Sequence, residues 1–199
     1  MTRLASTFRR IPRVLLFVTA GLIQVALIAA MVFDRVGILR DGSEVILQTR
    51  PVDPRDLLRG DYVVLNYDIS SVAAAELKDQ PTAGKHTFVY VKLAPNPEGF
   101  HSAVSVHQDP VPVSAPDVLI RGRVVSGANC GVTRLAFCDR LQLNYGIERY
   151  FVPEGEGLEI EQARGDRRVT IVAAVTPSGR AAVKRLLMDG KPVYDEPMF

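Results

Sequence analysis

The sequence predicts a mainly β protein: a small, mostly antiparallel β domain with minor helices, preceded by one transmembrane α-helix. Three observations predict it. Residues 14–33 form a twenty-residue run without a single charge, about 30 Å long as a helix and so matched to a bilayer's hydrocarbon core. Beyond it, short segments rich in β-branched and aromatic residues alternate between apolar and polar. Clusters of Gly, Pro, Asn and Asp punctuate these segments at short intervals, and neither repeats nor linkers divide them.

The flanks of the apolar run orient it. Arg3, Arg9, Arg10 and Arg13 precede it with no acid among them, while Asp34 and Arg35 behind it cancel. By the positive-inside rule the N-terminus stays in the cytoplasm and Val36 onward is translocated. The expected organisation is a basic cytoplasmic lead over 1–13, an anchor over 14–33 and an extracytoplasmic domain over 36–199. The expected location is a bacterial inner membrane crossed once, with the domain in the periplasm. A cleaved signal peptide would have an apolar core of only about 7–15 residues and a small-x-small cleavage site. Here the core is longer and ends in Ala29-Ala30-Met31-Val32-Phe33, a poor fit to such a site. Gln24, in mid-run, either contacts a second membrane helix or is tolerated in lipid.

Charge narrows the function. The chain holds 24 basic against 22 acidic residues. Without residues 1–13 the balance is 20 against 22, so the slight basicity belongs to the membrane flank. No basic stripe interleaved with aromatics runs along the sequence, which argues against nucleic acid. Two cysteines, Cys130 and Cys138, flank GVTRLAF. They either bridge the arms of a hairpin, contributing about 2–3 kcal/mol in an oxidising compartment, or stand separately. Without a CxxC or a nearby His they make a poor metal or redox site.

The remaining elements follow in order. SEVILQTR (43–50) alternates as a strand, and PVDPRDLLRGD (51–61) is a structured turn with one helical turn over 54–58. YVVLNYDI (62–69) is a strand, SSVAAAELK (70–78) a short helix, and 81–85 a loop. Strands over 86–93 and 100–107 form a hairpin about a turn at 96–99. A loop with prolines at 110, 112 and 116 leads to a strand at 118–126, interrupted by Gly122 as a bulge or a close backbone approach. Residues 133–144 hold one or two short strands, 145–156 an aromatic strand running into a turn, and 158–164 a short helix. RVTIVAAV (168–175), a turn and AAVKRLLM (181–188) read as a terminal hairpin, with a helix as the alternative for the second arm. DGKPVY closes with a turn and a last extended piece.

Residues suited to chemistry are scattered. His86, His101 and His107 lack the HExxH or HxH spacing of a metal site and read as surface or internally satisfied histidines. Gly155 and Gly157 lack the Lys-Ser/Thr pair that would hold phosphate and magnesium. Glu148, Glu154, Glu156, Glu159 and Glu161 form an acidic group that reads as a solvated turn unless two of them face each other across a cleft. No catalytic residue, metal ligand or cofactor is expected.

RGDYVVLNYD is the sharpest feature. Gly60 permits an unusual backbone angle ahead of the strand, and Asp61 could accept bonds from neighbouring amides. Alternation puts Tyr62, Val64, Asn66 and Asp68 on one polar face, for binding or solvation, and Val63, Leu65, Tyr67 and Ile69 on a core face. GDYVVLNY at 60–67 resembles the signature of the GDYXXLXY protein family, a group of bacterial membrane-anchored proteins. Gly60, Asp61, Tyr62, Leu65 and Tyr67 match its fixed positions. PVDPRDLLRGDY, and YGIERYFVPEGEG with Tyr145, Glu148, Tyr150, Pro153, Glu154 and Gly155, resemble other habitual segments of the family. The likeness covers about residues 14–190 and implies one N-terminal anchor with an envelope-side domain. It also implies a multi-pass membrane partner, since members are often encoded beside such a protein. It supplies no catalytic residues, and Cys130/Cys138 lie outside its signature.

Residues 57–63, LLRGDYV, also resemble the Gly-Asp turn of signal peptidases, with Lys92 in the place of the general base. Residues 50–56 contain no Ser, Thr or Cys to serve as nucleophile. The expectation is therefore a non-enzymatic accessory subunit of a membrane assembly. The alternatives are an envelope hydrolase using the acids around 145–161, with Glu148, Glu154 and Asp61 in one pocket, or a ligand- or stress-sensing envelope module.

Overall fold

The computed structural model describes residues 12–50, 62–73, 88–128, 140–151, 163, 166 and 168–195. The chain divides into two compact units, Met1–Gly37 and Ile38–Phe199. The first is the body of helix α1, Arg13–Asp41. Pro12 leads it in, its carbonyl accepting from the amides of Leu15 and Leu16. The stretch from Val14 is long and apolar enough to cross a membrane, and Phe17, Met31 and Phe33 are each about three-quarters exposed. Large side chains exposed on every side of a helix suit lipid and not water. Thr19 turns its hydroxyl back onto Leu15 O at 2.7 Å, which removes the one hydroxyl in the run from competition with lipid.

The second unit is the β domain. Its strands are β1 Ser43–Arg50, β2 Tyr62–Val64, β3 Asn66–Tyr67, β4 Ser71–Ala73, β5 Phe88–Pro95, β6 His101–His107, β7 Val118–Ala128, β8 Arg140–Asn144, β9 Arg149–Phe151, β10 Val169–Val175, β11 Ala181–Met188 and β12 Lys191–Asp195. Among the described residues one five-stranded sheet runs β12-β11-β10-β1-β3, a second runs β4-β8-β7-β5-β6, and β2 and β9 form a two-stranded sheet. Every ladder is antiparallel, so the fold class read from the sequence is the one observed. The inner faces of both sheets share one core: Val45, Leu47, Ile171 and Leu186 from the first, Val89, Val91, Leu93, Ile120 and Leu141 from the second. Each such side chain contributes about 1.5–3 kcal/mol by leaving water.

Strand β10 is buried at all seven positions, as its unbroken apolar sequence requires. Val169, Ile171, Ala173 and Val175 face the shared core. On its other side Ala174 packs with Ala182 and with Ile38 and Leu39, from the last turn of α1. Gly42 makes that junction possible. A Cβ there would lie 2.6 Å from Ile38 O and 2.9 Å from Val175 N, closer than any side chain can sit.

Several expectations are corrected. The helix does not end at residue 33 but continues to Asp41, because Ile38 and Leu39 are apolar and find a buried site. The expected strand over 62–69 is two strands and a 3-10 turn, Asp68–Ser70. It changes partner at Leu65: the Leu65 amide still bonds toward the β9 side, donating to Glu148 O at 2.7 Å, while Asn66 and Tyr67 pair with β1. Of the helix expected over 70–78, the described part is not helical: Ser71–Ala73 form edge strand β4, paired with β8, and sheet pairing overrides local helical preference there. Tyr145 lies in a turn, and the strand expected from it starts only at Arg149. The second arm of the terminal hairpin is a strand, β11. Gly122 marks a close approach: a Cβ there would lie 3.0 Å from the Tyr145 ring. The expected features at 51–61, 74–78, 81–85, 133–139 and 152–162, with His86, Cys130 and Cys138, lie outside the described residues.

Candidate functional site

The two segments that stood out in the sequence meet in space. Residues 62–64 pair with 149–151, Tyr62 opposite Phe151 and Val64 opposite Arg149. The chain then crosses inward at Leu65, which is fully buried. Tyr67 follows, 1% exposed, and its hydroxyl donates to Ile147 O at 2.5 Å. In return the Tyr145 hydroxyl donates to Ile69 O at 2.7 Å. Each tyrosine thus satisfies a buried carbonyl of the other's segment, a reciprocal brace across some eighty residues of sequence. Burial, aided by the charge of Glu148, holds the Tyr67 hydroxyl well above the usual phenol range, so it serves as a neutral donor.

Glu148 secures the turn behind the brace. Its carboxylate accepts from the Tyr145 amide and from the Gly146 amide at 2.9 Å. With its amide assigned so that the nitrogen and not the oxygen faces the carboxylate, as hydrogen bonding requires, Asn144 donates to the two Glu148 oxygens at 2.6 and 2.7 Å. Gly146 has φ +82, a backbone angle glycine adopts without strain. On the other segment the Tyr67 amide donates to Ser70 Oγ at 3.1 Å, and Asp68 accepts from Arg50 Nε at 2.5 Å.

The predicted residues separate by role. Leu65, Tyr67 and Tyr145 are core, while Asn66 is exposed and Asp68 half-buried, as alternation requires. Tyr62 and Tyr150 take part in the β2–β9 ladder. Gly60, Asp61, Pro153, Glu154 and Gly155 lie outside the described residues. Lys92 faces Asp117, at 2.7 Å. His107 Nε2 lies 2.9 Å from Ser105 Oγ. Among the described residues no group of three His, Cys, Asp or Glu is placed to hold a metal.

A cleft of about 540 Å³ opens at one end of the domain, lined by Glu44, His101, Asp117 and Thr176 with an apolar wall that includes Val113, Pro116 and Val175. It was not legible in the sequence, because its walls come from four separate stretches. His101 reaches across it from β6, and its Nδ1 accepts the Ile46 amide at 3.2 Å. Strand β3 covers only Thr49 and Arg50 of β1, so the imidazole serves an amide that strand pairing does not reach. Burial pulls the His101 pKa below the usual histidine range. Glu44 accepts from Lys184 at 2.8 Å and Arg185 at 2.6 Å. The Lys184 bond, with the nearby Arg185 charge, holds Glu44 below the usual carboxylate range against the opposing effect of burial.

Among the described residues one helix is long and apolar enough to cross a bilayer, and it leads into an antiparallel β domain with two segments tied by buried tyrosines. These features define a class of β protein carrying an N-terminal helix fit to span a membrane. Within that class the chain belongs to the GDYXXLXY protein family, whose family model matches residues 24–186. No curated protein and no solved structure matches the chain.

Proposed function

We propose that this protein is a non-enzymatic accessory subunit of a membrane assembly. Helix α1 is a signal-anchor in a bacterial inner membrane, with the N-terminus in the cytoplasm and the β domain in the periplasm, and the partner is a multi-pass membrane protein. The observation that carries this reading is the use made of the family's characteristic residues: Tyr67, Tyr145 and Glu148 are committed to backbone groups of the domain itself. Groups bonded in this way hold a shape and do not turn over a substrate. The four arginines ahead of the uncharged run support the orientation. Gln24, exposed in α1, and the polar side carrying Asn66 and Asp68 are the contact points this reading assigns to the partner.

The test is in-cell crosslinking of the full-length protein, then affinity purification in mild detergent and mass spectrometry. One stoichiometric multi-pass protein, lost on Gln24→Leu or on Asn66→Arg, is the expected result. Recovery of the chain alone at comparable crosslinking efficiency would refute the accessory role.

A further inference from the structure

No basic, aromatic stripe runs along the sequence, yet the second sheet assembles one from separate strands. On its outer face Phe88 lies opposite Arg123 and Tyr90 opposite Arg121 across the β5–β7 ladder. The Arg121 guanidinium sits over the Phe88 ring, 4.6 Å from its centroid. Phe88 is 49% exposed, and Arg123 is exposed as well. Asn144 pairs with Arg123 on the next strand, β8, where Gln142 and then the exposed Arg140 continue the same face. Arg140 bonds only the neutral Ser71 hydroxyl and carbonyl, both at 2.7 Å, so its charge is not neutralised there.

Among the described residues, two acids on the flanking segments are otherwise engaged. Asp117 is paired with Lys92, and Glu148 holds the backbone of its own turn. The face therefore presents three arginines and two aromatic rings in a domain whose own charge balance is slightly acidic. Arginine differs from lysine in binding phosphate oxygens through two parallel N–H groups and in stacking on rings. Tyr and Phe beside it suit the boundary between headgroups and acyl chains.

We propose that this face docks on an anionic phospholipid surface, with Arg121, Arg123 and Arg140 taking lipid phosphates and Phe88 entering the headgroup region. Charge complementarity selects the occupant, and α1, read as a membrane anchor, keeps such a surface at high effective concentration. The inference rests on that anchored reading but not on any protein partner.

The chain contains no tryptophan, so Phe88→Trp introduces a unique fluorophore that keeps the ring under Arg121. The full-length variant is reconstituted into nanodiscs of phosphatidylcholine alone or mixed equally with phosphatidylglycerol, some carrying brominated acyl chains. Incorporation into discs reports the anchor independently of the fluorescence. The expected result is a blue shift and quenching by brominated lipid in the anionic discs only. Arg121→Glu with Arg123→Glu should lower the docked-to-free ratio by about tenfold or more, with the melting transition unchanged. A tryptophan that stays freely quenched by acrylamide in both kinds of disc overturns the proposal. So would immobilisation by an added acidic protein in neutral discs, which would assign the face to a protein.

Discussion

The tyrosine brace and the arginine face lie in one domain and treat their polar groups in opposite ways. In the brace the hydroxyls of Tyr67 and Tyr145 end on backbone carbonyls, and the carboxylate of Glu148 takes backbone amides of its own turn. On the face Arg121 ends on an exposed ring, and Arg123 points to solvent. The difference teaches where to look for function. Tyr67, Tyr145 and Glu148 are bonded to the protein itself, whereas recognition needs groups whose capacity is unspent. The brace makes the shape, and the faces it supports are free to bind.

The largest effect should come from breaking the brace. Tyr67→Ala removes a fully buried ring and is expected to destabilise the domain by about 3–5 kcal/mol. Tyr67→Phe should cost about 1–3 kcal/mol, since it leaves the buried Ile147 carbonyl without its donor. Urea unfolding of the full chain in detergent, followed by circular dichroism, measures both. If instead Tyr67→Phe left the midpoint unchanged, the hydroxyl would have no structural role.

The junction behind α1 comes next. Gly42→Ala places a methyl against the Ile38 carbonyl and the Val175 amide and is expected to cost about 1–3 kcal/mol. A neutral result would mean that the last turn of α1 is not held against β10. Third, Arg121→Glu should leave the urea midpoint within about 0.5 kcal/mol of the parent, because its charged end is not buried in a polar network. That contrast with Tyr67→Phe is what separates a binding face from a brace.

The smallest effect is one of pH. His101 is neutral in the folded state, since its Nδ1 must keep a lone pair for the Ile46 amide, and its pKa is lowered by burial. The unfolded chain then takes up a proton before the folded one. The contribution is fully present above the unfolded pKa of about 6.5 and is lost as pH falls through the lower folded value. Thermal midpoints should hold steady above about pH 7 and decline below about pH 6.5, and His101→Asn should flatten that decline. Glu44, also depressed, acts at more acid pH, losing its contribution as pH falls below the ordinary carboxylate range.

Much of this was legible in the sequence wherever the signal was local. A charge-free run marks α1, period-two alternation places Leu65, Tyr67 and Ile69 inside, and an interrupting glycine foretells the close approach at Gly122. What one sequence does not carry is the partner of each segment. Nothing in YVVLNYDI announces that it divides between two ladders, because the two partners, β9 for 62–64 and β1 for 66–67, lie elsewhere in the sequence. Ile38 and Leu39 fall between the anchor and the first strand in the sequence reading, and only β10, through Ala174, supplies what they pack on. The arginine face was invisible for the same reason: Phe88 and Tyr90 meet Arg123 and Arg121, and Arg140 joins the same face, only through strand pairing.

The most direct test of the central claim, that the two characteristic segments act as one structural brace, is a double-mutant cycle. Unfolding free energies would be compared for the parent, Tyr67→Phe, Tyr145→Phe and the double variant, all as full-length protein. The account predicts that the two losses couple, the double variant departing from their sum by about 0.5–3 kcal/mol. Additivity to within about 0.3 kcal/mol would contradict it and return the two tyrosines to independent roles.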